Sequence, residues 1–125
     1  MMLLAIAFGG AVGSVLRYII GVAVQRVAHT GFPVGTLAVN LIGCTLVGAL
    51  AALFLNDETQ PLLRAALTVG FCGGFTTFST LTLETFGLIA GGDWSKAAAY
   101  VGASIVACVA GTVAGFRLVH HLCGA

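Results

Sequence analysis

An all-α membrane protein of four transmembrane helices is the fold class this sequence predicts, and three observations predict it. Of 125 residues, 59% are hydrophobic and only 7% are charged, where soluble domains carry roughly a quarter charged residues. Residues 27–56 and 97–116 contain no Asp, Glu, Lys or Arg. A spanning helix needs about 20 apolar residues at about 1.5 Å rise each, and the chain divides into four segments of that length. The net charge of +1 offers no basic face for nucleic acid, and the whole of 1–125 reads as a single transmembrane domain.

The helices are expected at about 3–24, 34–55, 62–89 and 97–119, with turn and charge residues in the connections Gln25 to Pro33, Asn56 to Pro61 and Gly91 to Lys96. The first segment lacks a basic leader and its apolar stretch exceeds the roughly 7–15 residues of a signal core, so it reads as a span rather than a cleaved signal. The third segment is too long for one straight crossing. Cys44, Cys72, Cys108 and Cys123 lie far apart with no CxxC or Cys/His cluster, and read as small apolar fillers rather than zinc ligands. His120 and His121 are adjacent and read as an interfacial pair.

Four spans put both termini on one face. That face receives Arg64 and Arg117; the other receives Arg26 and Lys96, with Arg17 expected to snorkel toward it. Loop Lys and Arg set orientation, and this count gives hardly any bias. Insertion both ways up would let an antiparallel dimer form about an axis in the membrane plane; a weak but real bias is the alternative. The pairs Gly9/Gly13, Gly70/Gly74, Gly87/Gly91 and Gly111/Gly115 each lie on one helix face, as close helix packing in lipid requires.

The informative residues are polar groups at membrane depth, where unsatisfied donors and acceptors are costly. Thr36 and Asn40 share a face of the second helix with Gly43; Tyr100, Ser104 and Cys108 form a stripe on the fourth. Interhelical hydrogen bonding accounts for either stripe alone. Together with a third polar segment, Gly70-Phe71-Cys72-Gly73-Gly74-Phe75-Thr76-Thr77-Phe78-Ser79-Thr80, they favour a polar pathway. Paired glycines followed by Thr-Thr and Ser-Thr make a poor helix, so a break in helix three is expected there. Exposed carbonyls would suit a hard monovalent cation; amide ends and hydroxyls would suit an anion. Glu84, one to two turns on, is either a buried functional carboxylate or a hydrated vestibule residue, the second being favoured.

Gly9-Gly10-Ala11-Val12-Gly13-Ser14-Val15-Leu16-Arg17-Tyr18, Gly35-Thr36-Leu37-Ala38-Val39-Asn40 and the Gly70–Thr80 segment, in this order across the chain, resemble the Fluc (CrcB) fluoride channels. The resemblance implies an antiparallel, dual-topology homodimer in the bacterial inner membrane, with two fluoride pores and a central structural sodium ion. It places the sodium on the backbone carbonyls of Gly73 and Thr76 from each subunit. It assigns Asn40, Phe78, Ser79, Thr80, Tyr100 and Ser104 to the fluoride pore, beside Thr36 from the helix-two stripe. The family often carries a serine where this chain has Cys108. It also carries a second phenylalanine where this chain has Leu81, which has no electropositive ring edge to offer an anion.

Fluoride is small and strongly hydrated, so a pore must replace its water with good donors. Amides, hydroxyls and ring edges do so without a charge that would trap the ion. No catalytic residues are expected, since the chain has no nucleophile–base pair or metal constellation. Two rivals remain at this point. A proton-coupled exporter of lipophilic cations would need a carboxylate deep in helix one, and helix one has none. A non-transporting assembly module would leave the Gly-Gly-x-Thr-Thr segment unexplained.

Overall fold

A computed structural model describes residues 1–55 and 60–123, with Cys123 placed by its backbone only. Residues 56–59, most of the connection expected at Asn56 to Pro61, lie outside the described residues, as does the Cys123 side chain. Among the described residues every regular element is a helix. α1 covers Met2–Ala28 and α2 Val34–Leu53. A third span, Pro61–Ala90, is assembled from α3 (Pro61–Ala65), a π-helical segment (Ala66–Cys72), α4 (Gly73–Phe75) and α5 (Phe78–Ala90). α6 covers Trp94–Cys123. Four helical spans are long and apolar enough to cross a bilayer.

The ends follow local chemistry. α1 continues past Val24 because nothing in Gln25-Arg26-Val27-Ala28 breaks a helix, and it stops at His29, whose left-handed backbone (φ 48°, ψ 33°) reverses the chain. α2 stops at Leu53 because Phe54 folds back, its N–H on the carbonyls of Leu50 and Ala52 and its ring buried. Pro61 opens α3 at the first helical position, where its missing N–H costs nothing. Gly92 supplies the positive φ (84°) that turns α5 into α6, and Lys96 and Asp93 pair at 2.8 Å across that turn.

Two packing units position the site. α2 lies along α6, and α1 lies along the π-helical segment and α4. Both depend on glycines that let backbones touch. A Cβ on Gly48 would fall on the Thr112 carbonyl, and one on Gly13 on the Phe71 carbonyl. Gly9/Gly13, Gly70/Gly74 and Gly111/Gly115 occupy such contacts within the chain. Gly87/Gly91 does not: Gly87 has no neighbour within 4 Å of a Cβ, and Gly91 meets only its own helix. The small core comprises Val39, Ala52, Phe54, Cys72, Phe75, Leu81, Ala97 and Tyr100. Large apolar side chains such as Leu3, Phe8, Val69 and Val106 face outward, as expected where lipid replaces water.

Candidate functional site

The third span bends where its sequence is least helical. Thr76 (φ −84°, ψ 157°) and Thr77 (φ −148°, ψ 117°) are extended between α4 and α5. Thr77 caps α5, its Oγ1 accepting from the Thr80 N–H at 3.1 Å and donating to the Thr80 hydroxyl at 2.9 Å. Ser79 Oγ lies 3.2 Å from the same oxygen.

Extended backbone at membrane depth needs partners, and four side chains bond the backbone around the bend. Asn40, buried in α2, clamps Thr77 from both sides: its Nδ2 donates to the Thr77 carbonyl at 3.0 Å, and its Oδ1 accepts the Thr77 N–H at 2.7 Å. Arg17 donates from Nε to the Gly74 carbonyl at 3.1 Å, with the Ser14 hydroxyl at 3.4 Å from the same oxygen. Arg17 is half-buried and lines the same cavity as the 30–33 connection, and its Nε is held by a carbonyl at the bend. The Thr76 hydroxyl donates to the Cys72 carbonyl at 2.9 Å.

Two carbonyls are left over. The Thr77 N–H that would bond Gly73 goes to Asn40, and the Thr80 N–H that would bond Thr76 goes to the Thr77 hydroxyl. Among the described residues, no hydrogen bond ends on the Gly73 or Thr76 oxygen. A Cβ on Gly73 would meet nothing within 4 Å, so that position is open on the outside of the chain. Two free, neutral carbonyl oxygens are donors of the kind a hard monovalent cation takes.

Above the bend, Glu84 of α5 accepts from the Thr36 hydroxyl at 2.8 Å and the Tyr100 phenol at 2.6 Å. The hydroxyl protons of Thr36 and Tyr100 are thus directed at a carboxylate. Glu84 is half-buried and lines a cavity of about 660 Å³ together with Arg17, Gln25, Thr36, Thr77 and Thr80. Tyr100 is fully enclosed. One turn further along α6, Ser104 is 3% exposed, and its hydroxyl has no partner among the described residues. Phe78 stands at the other extreme, 76% exposed at the start of α5, and Ser79 beside it is exposed as well.

The structure therefore brings together Asn40 with the Thr76–Thr80 turn, and Thr36 with Glu84 and Tyr100. Within the chain the Phe78 side chain is left exposed, and Ser79, though its hydroxyl lies beside that of Thr77, is exposed as well. Arg17, Ser14 and Gln25 were missed as site residues; a basic residue and an amide in an otherwise apolar first span were the available signal. Among the described residues, no group of three or more His, Cys, Asp or Glu side chains is arranged to hold a metal.

Residues 4–116 match the family described as CrcB-like protein, Camphor Resistance (CrcB). The chain belongs to the CrcB family. Its relatives include the fluoride-specific ion channel FluC of Geobacter sulfurreducens, 48% identical over 96% of this chain and 98% of that one. The fluoride-specific ion channel FluC 1 of Nitrobacter hamburgensis is 44% identical over 96% of each chain. The FluC of Sulfurovum sp. is 40% identical over 98% of this chain and 97% of that one. This CrcB-family chain is a multi-pass membrane protein. Leu81, the residue that departs from the expected second phenylalanine, is 6% exposed and belongs to the core.

Proposed function

We propose that this protein is a fluoride-selective ion channel that lets fluoride leave the cytoplasm passively across the inner membrane, lowering its toxicity. The observation that carries the reading is that relatives named fluoride-specific ion channels align with 90% or more of this chain. The chemistry of the site supports it. A pore for a small, strongly hydrated anion needs neutral donors that replace water without trapping the ion. The enclosed, unpartnered hydroxyl of Ser104 is such a donor. So is Asn40, whose amide has a second N–H beyond the one given to Thr77.

Asn40, Phe78, Ser79, Thr80, Tyr100, Ser104 and Thr36 form the fluoride pore in this reading, and Glu84 stands in its vestibule. The working unit is an antiparallel, dual-topology homodimer. The exposure of Phe78 and Ser79 in a single chain is what such a pairing would use, since a partner copy would enclose them. The bend acts as a functional break in helix three. A structural sodium ion shared by the two copies would be held by the carbonyls of Gly73 and Thr76, which are free of other bonds. Bound there, the ion supplies positive potential near the pores and ties the bends together. The protein's own residues do the rest: Asn40 and Arg17 hold the bend in shape, and the Ser104 hydroxyl and the second Asn40 N–H replace hydration water along the pathway. No ATP site or catalytic group takes part.

The test is fluoride efflux from liposomes holding the purified protein, with chloride as the comparison. Fluoride flux well above chloride flux is expected. No flux, or chloride passing as readily, would overturn the reading.

A further inference from the structure

The link between α1 and α2 is more heavily bonded than a connector needs to be. α1 ends at His29 in the left-handed region, and Thr30, Gly31, Phe32 and Pro33 then form part of the wall of the cavity that Glu84 lines. Gln25 pins this strap with its side-chain amide. Its Nε2 donates to the carbonyls of Thr30 at 2.9 Å and Phe32 at 3.1 Å, and its Oε1 accepts the Gly35 N–H at 2.9 Å. The Phe32 carbonyl also accepts from the Thr30 hydroxyl at 3.2 Å and the Val34 N–H at 2.8 Å. Three donors converge on one carbonyl, and the side chain beyond it points to the site. The Phe32 ring meets Tyr100 edge-to-face, with centroids 5.4 Å apart and planes at 81°. Tyr100 in turn donates to Glu84 at 2.6 Å.

We propose that the Gln25-pinned strap is a working part of the conduction site, and that Phe32 is a positioning residue acting through Tyr100. This rests on reading the cavity as part of the fluoride pathway. The terminal torsion of a tyrosine is broad, so a hydrogen bond to a carboxylate does not by itself hold the ring plane. The perpendicular ring of Phe32 limits its rocking and keeps the phenol on Glu84, while Thr36 holds the other carboxylate oxygen. A mere connector would keep its length but would not need Phe32, or an amide fixing the Phe32 carbonyl.

The test uses the full chain in liposomes and two readouts. Phe32→Leu should lower fluoride flux by roughly two- to tenfold, the range expected for losing one aromatic pair, and Gln25→Ala, which releases the Phe32 carbonyl, should lower it in the same direction. Phe32→Tyr, which keeps the ring, should stay within about twofold of the native rate on the same principle. Independently, 3-fluorotyrosine labels the two tyrosines, Tyr18 and Tyr100, and Tyr18→Phe assigns their ¹⁹F signals. Phe32→Leu and Gln25→Ala should move the Tyr100 signal by more than its linewidth. An unmoved Tyr100 signal, native flux in Phe32→Leu, or a Phe32→Tyr variant as impaired as Phe32→Leu would each overturn the proposal. A native protein that carries no fluoride would sink the channel reading, while the ¹⁹F shifts would still report on the strap.

Discussion

Ser104→Ala separates a pore donor from a structural hydroxyl. Ser104 is 3% exposed, and among the described residues its Oγ has no partner, not even the carbonyl one turn back on α6. Leaving a buried hydroxyl unpaired costs roughly 1–3 kcal/mol, so the native fold bears an energy that alanine would remove. Against that stands only the small space left by one oxygen atom. The variant should be as stable as the native protein, or more stable by up to about 2 kcal/mol. If the hydroxyl coordinates fluoride in transit, the same substitution removes a hydrogen bond to a charged group worth about 1.5–3 kcal/mol. Flux should then fall roughly tenfold to a hundredfold. Fluoride-electrode recording of efflux from liposomes measures the second effect. Thermal unfolding followed by the fluorescence of Trp94 measures the first. Native flux with unchanged or raised stability would refute the reasoning, because Ser104 would then be a tolerated defect. A loss of stability together with flux would refute it differently, by showing that the hydroxyl serves the fold.

Asn40→Asp replaces the Nδ2 donor facing the Thr77 carbonyl with an acceptor, at a cost of about 1–3 kcal/mol. It also puts a negative charge beside the pathway, so fluoride efflux should be abolished; full activity in liposomes would remove Asn40 from the pore. Gly48→Ala drives a Cβ into the Thr112 carbonyl and must splay α2 from α6, an overpacking worth about 1–3 kcal/mol. Its thermal midpoint should fall below the native one, and an unchanged midpoint would show that the crossing is looser than these contacts require.

The four spans are legible in the sequence because lipid imposes a one-dimensional rule of length and apolarity, which local composition satisfies or fails. The bend was legible for the same reason: Gly73-Gly74 and Thr76-Thr77 weaken a helix locally, whatever surrounds them. Pairings were not legible. Asn40 stands out as a polar residue in an apolar helix, but that its amide grips Thr77, 37 positions away, depends on how α2 meets the bend. Glu84, Thr36 and Tyr100 likewise come from three helices. The partner of Arg17, the Gly74 carbonyl 57 positions away, was likewise not legible, because it depends on how α1 meets the bend. Gly87 and Gly91 make the converse point. Spacing fixes that two glycines share a face; it says nothing of whether another helix lies against that face.

The decisive constraint is the one that makes membranes unforgiving: polar groups at depth must find partners. Around the bend almost all of them do, and each partner is a residue whose polarity would otherwise be hard to justify in an apolar span. Asn40 is taken by Thr77, Arg17 and Ser14 by Gly74, the Thr76 hydroxyl by Cys72, and Thr36 and Tyr100 by Glu84. What stays unpaired is therefore informative. The Gly73 and Thr76 carbonyls are acceptors, open to a cation. The Ser104 hydroxyl can donate, and so can meet an anion. In the proposed reading these two kinds of group would divide the work, the acceptors taking a structural cation and the donor meeting the anion.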